Sequence, residues 1–143
     1  MPRLCLALLI TVLLGAGCDS AGDGAALADT RWSLLTADVP GEDRPPAGDI
    51  LVFFRSGGVD VASCNACSGR FRVEGGRVFF YDFGCTEMYC SDRLDLGPLL
   101  WDEDGVEYEV AGDRLTLRVS LPDGQTGVLT FAGGDEVLTG SAE

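Results

Sequence analysis

Runs that alternate between apolar and polar side chains fill most of the chain beyond residue 30, with short stretches of glycine, proline and aspartate between them. Alternation with a period of two places successive side chains on opposite faces and predicts strands that bury one face. Arg31-Trp32-Ser33-Leu34-Leu35-Thr36 reads as the first strand, with Trp32 in the core. Val39 to Asp49 holds three prolines and two glycines and reads as a loop, because proline removes ladder donors. Ile50-Leu51-Val52-Phe53-Phe54 is the most apolar run and predicts a buried strand. Gly57-Gly58 turns the chain into Val59-Asp60-Val61-Ala62-Ser63.

The next stretch carries all four cysteines downstream of position 18, namely Cys64, Cys67, Cys85 and Cys90. Phe71 and Val73 alternate with Arg70, Arg72 and Glu74. Phe79, Tyr81 and Phe83 continue the alternation beyond Gly75-Gly76. Two alternating runs about a Gly-Gly pair predict a β-hairpin. A three-residue loop, Gly75-Gly76-Arg77, sets Val73 opposite Phe79, Phe71 opposite Tyr81 and Cys67 opposite Cys85, all on one face. A two-residue loop moves the register by one and misaligns the cysteines, so the three-residue loop is the expectation.

After Cys90, Ser91-Asp92 predicts the cap of a short helix over Arg93 to Leu96; Pro98 offers an alternative turn through Leu99, Leu100 and Trp101. Three strands follow, at Val106–Val110, Arg114–Val119 and Gly127–Phe131, joined by turns at Gly112-Asp113 and Pro122-Asp123-Gly124. Val137 and Leu138 offer a short edge strand in a tail that otherwise reads as loose from Gly133. About eight short strands with tight turns predict a mainly β domain, an antiparallel sheet curled into a small barrel or sandwich, with one short helix.

The first 29 residues have a different character. Met1-Pro2-Arg3 is a short basic start, Leu4 to Leu14 is almost wholly apolar, and Gly15-Ala16-Gly17 precedes Cys18. This pattern predicts a secretory signal over residues 1–17, too short for a comfortable membrane span. Leu14-Gly15-Ala16-Gly17-Cys18 resembles a bacterial lipobox, with glycine where leucine usually stands three residues before the cysteine. The resemblance implies a lipid on Cys18 and attachment to the outer side of a membrane in the cell envelope; ordinary cleavage to a secreted domain is the alternative. Asp19 to Asp29 has no period and reads as a flexible tether, with the folded domain at 30–132.

Charge narrows the partners. The formal net charge is −13, there is no histidine, and all ten basic residues are arginine. Such a surface repels nucleic acid and anionic lipid, and suits solubility, cations or a basic protein partner. Export also bears on the cysteines, since an oxidising compartment favours disulfides. The expected register gives the nested pairs Cys64–Cys90 and Cys67–Cys85. Four cysteines allow three pairings, a four-thiolate zinc site fits the same spacing, and Cys64-Asn65-Ala66-Cys67 has the spacing of a redox pair. Asn65 tolerates left-handed backbone geometry and reads as a turn residue.

For catalysis the chain offers little. Ser63, Ser68 and Thr86 have no histidine or lysine to act as base. Carboxylates are numerous, but no spacing singles out a pair for acid–base work. Asp102-Glu103-Asp104-Gly105 with Glu107 and Glu109 is the densest acidic patch, and Asp102, Asp104 and Glu107 in it are candidates for Ca²⁺, without the spacing of an EF-hand loop. No cofactor is expected, and the sequence carries no signal of oligomeric state.

An early Trp strand, Cys64-Asn65 followed by Gly69-Arg70-Phe71, Thr86 to Cys90, and Gly112-Asp113-Arg114-Leu115-Thr116-Leu117 together resemble the META domain family, which includes the heat-inducible bacterial HslJ-type proteins. The match covers about residues 30–131. Ser63 stands where that family usually has glycine, Phe71 where it has tyrosine, and Cys67 and Cys85 look like an added pair. The resemblance implies a small β-rich envelope domain, often lipid-anchored and linked to stress tolerance, with no agreed reaction. It also implies that Cys64 and Cys90 pair with each other. The expected function is therefore a non-enzymatic interaction or stress-tolerance domain with an envelope protein as partner. A small-ligand or cation-binding module and a carboxylate enzyme are the alternatives.

Overall fold

A computed structural model of the chain describes residues 26–44 and 50–134. Among them eight strands run in sequence order around a closed antiparallel barrel. They are β1 Thr30–Asp38, β2 Leu51–Phe54, β3 Gly58–Ala62, β4 Ala66–Glu74, β5 Arg77–Cys85, β6 Val106–Ala111, β7 Arg114–Ser120 and β8 Thr126–Gly134. One helical turn, α1 Gly97–Leu100, lies between β5 and β6. Strand β8 pairs with both β7 and β1, so the sheet closes and edges are largely removed.

Closure follows from the alternation. Leu115, Leu117 and Val119 on β7, Val59 and Val61 on β3, and Trp32 on β1 all point inward and are buried. Their polar neighbours face out. Leu51 and Phe53 are only half-buried while Val52 and Phe54 are fully inside, so the run Ile50–Phe54 has one buried face and not two. A barrel wall has a single interior side, and Arg31 lies over the outer Phe53 ring at 5.3 Å. Leu27 is also in the core, and its carbonyl accepts from Thr30 Oγ1, which in turn accepts from Trp32 Nε1 at 2.7 Å. The ordered domain thus begins ahead of Thr30, inside the stretch expected as tether. At the other end β8 reaches Gly134, past the expected start of the tail at Gly133. The signal segment, Cys18, and Val137 with Leu138 lie outside the described residues.

The hairpin departs from the expected register in an informative way. Glu74 pairs with Arg77 across a two-residue Gly75-Gly76 turn, both glycines at positive φ. This pairing continues to Arg70–Tyr81. The register then shifts between Ser68 and Arg70, so that Ser68 pairs with Gly84 and Cys67 with Cys85. A β-bulge makes the correction: Asp82, at φ +47°, and Phe83 together oppose Gly69. A Cβ on Gly69 would stand 2.8 Å from both Asp82 O and Phe83 Cα, so the bulge needs glycine there. The bulge also changes which side chains enter the core. Val78, Phe80 and Phe83 are buried, while Phe79 is half-buried and Tyr81 exposed.

Strand β6 pairs with β5 only at Arg77 and Val78. Segment 86–105 runs back along the rest of β5 and takes the place of a wall strand. Gly97 lies against Cys85, Trp101 against Phe83 and Gly105 against Phe79, in antiparallel order. Leu94, Leu96 and Leu100 from this segment complete the core. The helical turn starts at Gly97, with Pro98 in its first turn, and not at Arg93. Proline's fixed φ suits a first turn, and no side chain caps the start.

Candidate functional site

The motif residues converge where the β3–β4 connection meets segment 86–105. Both predicted disulfides are present: Cys64–Cys90, with Cα atoms 6.1 Å apart, and Cys67–Cys85, at 4.0 Å. The thiols are therefore cross-linked and do not form a zinc site or a Cys64–Cys67 redox pair.

Asn65 sits between the two bridges and is 5 % exposed. Its Oδ1 accepts from Met88 N at 2.7 Å and from Thr86 Oγ1 at 2.9 Å. Its Nδ2 donates to Asp95 Oδ2 at 2.8 Å and to Met88 O at 3.2 Å. The Met88 amide fixes which end of the side chain is the oxygen. Ser63 adds a second tie: its Oγ lies 3.1 Å from Asp95 Oδ1 and accepts from Leu96 N at 3.1 Å. The Thr86 and Ala66 backbones extend the hairpin ladder by one bond, and Ala66 N also donates to Thr86 Oγ1. Asn65 is not left-handed; among the described non-glycine residues positive φ occurs at Asp29 and Asp82. Its role comes from the side chain, which satisfies the backbone of a segment without regular structure.

The family match decides what these motifs belong to. The META domain family model matches residues 25–135. The chain belongs to the META domain family. An NMR structure of a protein from Burkholderia xenovorans is similar to this META domain, with a TM-score of 0.54 at 18 % identity over 93 % of this chain and 98 % of that one. A second NMR structure gives a TM-score of 0.50 at 20 % identity over 73 % of this chain and 88 % of the other. At such identities the likeness concerns the fold alone. No curated protein matches the chain.

In this META domain the motif residues are structural. Cys64, Asn65, Thr86 and Cys90 fasten segment 86–105 to the barrel, Gly69 accommodates the bulge, and Gly112 turns the chain so that Leu115 and Leu117 enter the core. The acidic candidates do not converge. Asp102 Oδ1 accepts from Asp104 N at 2.9 Å within its own turn, and Glu107 binds the Arg77 guanidinium at 2.7 Å. Among the described residues no group of three carboxylates or cysteines has the arrangement of a metal site.

What the fastened segment presents outward was not read from the sequence as a site. Tyr89 is 92 % exposed, and Met88 and Trp101 are each 58 % exposed. Met88 and Tyr89 share a groove of about 340 Å³ with Pro98 and Leu99, bordered by Glu42, Arg44 and Asp95. Arg44 is held there by Glu42 and donates to Cys90 O. That guanidinium holds the Glu42 carboxyl below the usual carboxylate range. Trp101 is backed by a file of rings leading to the barrel centre: Phe83 at 6.4 Å, then Phe80 at 5.7 Å, then Phe54 at 6.4 Å. The signal that could have exposed this site is the run Glu87-Met88-Tyr89-Cys90, whose apolar pair precedes a bridged cysteine without any strand or helix period.

Proposed function

We propose that this META domain is a non-catalytic docking domain, held by a lipid on Cys18 at the extracytoplasmic face of a bacterial membrane and serving envelope stress tolerance through a protein partner. The observation that carries the reading is the exposure of Met88, Tyr89 and Trp101 on a segment fastened by a disulfide and by Asn65. Large apolar side chains on a braced backbone lose little further entropy on binding, which favours recognition. Two disulfides support an oxidising compartment. The lack of histidine and lysine supports a role without nucleophilic chemistry.

Two measurements in intact cells test it. Cys18→Ser moves the protein from the membrane fraction to the soluble one and abolishes incorporation of labelled fatty acid; retention in the membrane removes the anchor from the proposal. A photo-crosslinking residue in place of Tyr89 yields a discrete protein adduct that the same residue in place of Asp113, in the β6–β7 turn, does not. Equal adducts from both positions reject docking.

A further inference from the structure

The chemistry of the partner can be read from what surrounds the exposed rings. Segment 86–105 carries six carboxylates, Glu87, Asp92, Asp95, Asp102, Glu103 and Asp104, against one arginine, Arg93. Arg93 lies 3.8 Å from Asp92, and Arg44, the cation bordering the groove, is bound to Glu42. Both local cations are therefore already engaged by the chain's own acids.

Two other outward aromatic rings of the barrel lie under arginine. Arg31 lies over Phe53 at 5.3 Å and Arg72 over Phe79 at 4.2 Å. Tyr89 and Trp101 are more exposed than either ring, and their neighbours in sequence are Glu87, Asp102 and Glu103. An aromatic face attracts a cation through its quadrupole, and nearby carboxylates strengthen that field. The groove beside Tyr89 has apolar walls at Met88, Pro98 and Leu99. Cationic and apolar groups on one ligand would satisfy both features. A second copy of this chain, at net charge −13, has the wrong sign.

We infer that the Met88–Tyr89 groove binds a cationic, partly apolar polypeptide segment, with a lysine or arginine side chain on the exposed Tyr89 ring and an apolar side chain in the groove. The inference rests on the docking reading above and names its partner class.

The test uses the full chain and a synthetic amphipathic Lys/Leu peptide, with twins in which every Lys is Gln or Glu. Binding is followed by fluorescence anisotropy at low and at physiological salt. The Lys peptide binds, the Gln and Glu twins do not, and affinity falls as salt rises. Tyr89→Ala weakens binding by about fivefold, the loss of one partly exposed cation–π contact. Glu87→Gln combined with Glu103→Gln flattens the salt dependence, and Asp113→Asn leaves binding unchanged. Tyr89 is almost wholly exposed, so its variant keeps the parent melting temperature.

Three results would overturn the inference: equal binding of the three peptides, binding indifferent to Tyr89→Ala, or a dimer that Tyr89→Ala dissociates. If Tyr89 gives a cellular crosslink while the Lys peptide does not bind, docking stands and this partner chemistry is rejected.

Discussion

Gly97 lies so close to the Cys67–Cys85 bridge that a Cβ built on it would stand 2.9 Å from both sulfurs. The contact is where the helical turn of segment 86–105 is pressed onto the β4–β5 hairpin. A methyl group cannot enter without moving either the bridge or the turn. Gly97→Ala should therefore destabilise the domain by about 1–3 kcal/mol, the usual cost of overpacking. Urea unfolding of oxidised protein measures it. The cause is steric, so the penalty should shrink when Cys67→Ala and Cys85→Ala remove both sulfurs. An undiminished penalty in that background would assign the cost to the turn itself.

Asn65 joins four positions that the chain leaves 21 to 30 residues away: Thr86, Met88, Cys90 and Asp95. Asn65→Leu keeps similar volume but strands the Met88 amide and an Asp95 oxygen. Each stranded group costs about 1–3 kcal/mol where water cannot reach it. The expected outcome is loss of amide protection across 86–95 ahead of global unfolding, together with early proteolysis in that stretch. Hydrogen exchange followed by mass spectrometry reads both variant and parent. Uniform loss of protection over the whole barrel would show that the clamp is not local.

The two disulfides should differ in what they hold. Cys64–Cys90 spans 26 residues and Cys67–Cys85 spans 18, so loop entropy alone assigns each about 3 kcal/mol. Their positions differ more than their loops. Cys67–Cys85 joins strands already paired in the barrel, whereas Cys64–Cys90 fixes a segment without strand pairing. Cys64→Ser with Cys90→Ser should raise exchange within 86–95. Cys67→Ser with Cys85→Ser should lower the unfolding midpoint with less local change. Identical exchange maps would contradict this division.

The outline of the barrel was legible because one-sided burial writes a period of two into every strand. Trp32, the Leu115–Leu117–Val119 set and the Gly112-Asp113 turn all lie where that period puts them. The hairpin register was misread for a physical reason. Cys67–Cys85 is opposed, but through a two-residue turn plus a bulge, and not through a three-residue turn. The two solutions set Cys67 opposite Cys85 alike and give opposite faces at Phe79, Phe80 and Tyr81. Only the space at Gly69, closed to a Cβ by Asp82 and Phe83, decides between them, and that is a long-range fact. The helix over Arg93 to Leu96 was misplaced for a related reason, whereas the alternative turn opened by Pro98 overlaps α1. Ser91-Asp92 has cap chemistry, but Leu94 and Leu96 are drawn into the core and Ser63 takes the Leu96 amide, which delays the turn to Gly97. The site itself was least legible, because exposure at Tyr89 depends on how 86–105 is folded back, and no period marks that.

Among the described residues, Glu42 supplies a titration that the structure ties to a fastening. Its carboxyl accepts from Arg44 Nε at 2.6 Å and from the Arg44 amide at 3.0 Å, and Arg44 in turn reaches Cys90 O. Hydrogen bonding by the Arg44 side chain is the main cause of its lowered pKa. A carboxyl whose folded pKa lies below its unfolded one, about 4.3 for glutamate, contributes stability that is complete well above that value. The contribution is lost as pH falls through the lower, folded pKa. Acidification should thus release Arg44 and loosen the contact between the 39–44 loop and Cys90 before the barrel unfolds. Glu42→Gln should show the loosened state at pH 7 and lose that part of the acid dependence, since the amide keeps a hydrogen bond but not the charge. Exchange at the Arg44 and Ser91 amides between pH 7 and 3, corrected for intrinsic rates, provides the comparison. If parent and variant keep the same separation at every pH, the Glu42–Arg44 pair is not the latch on this side of the groove.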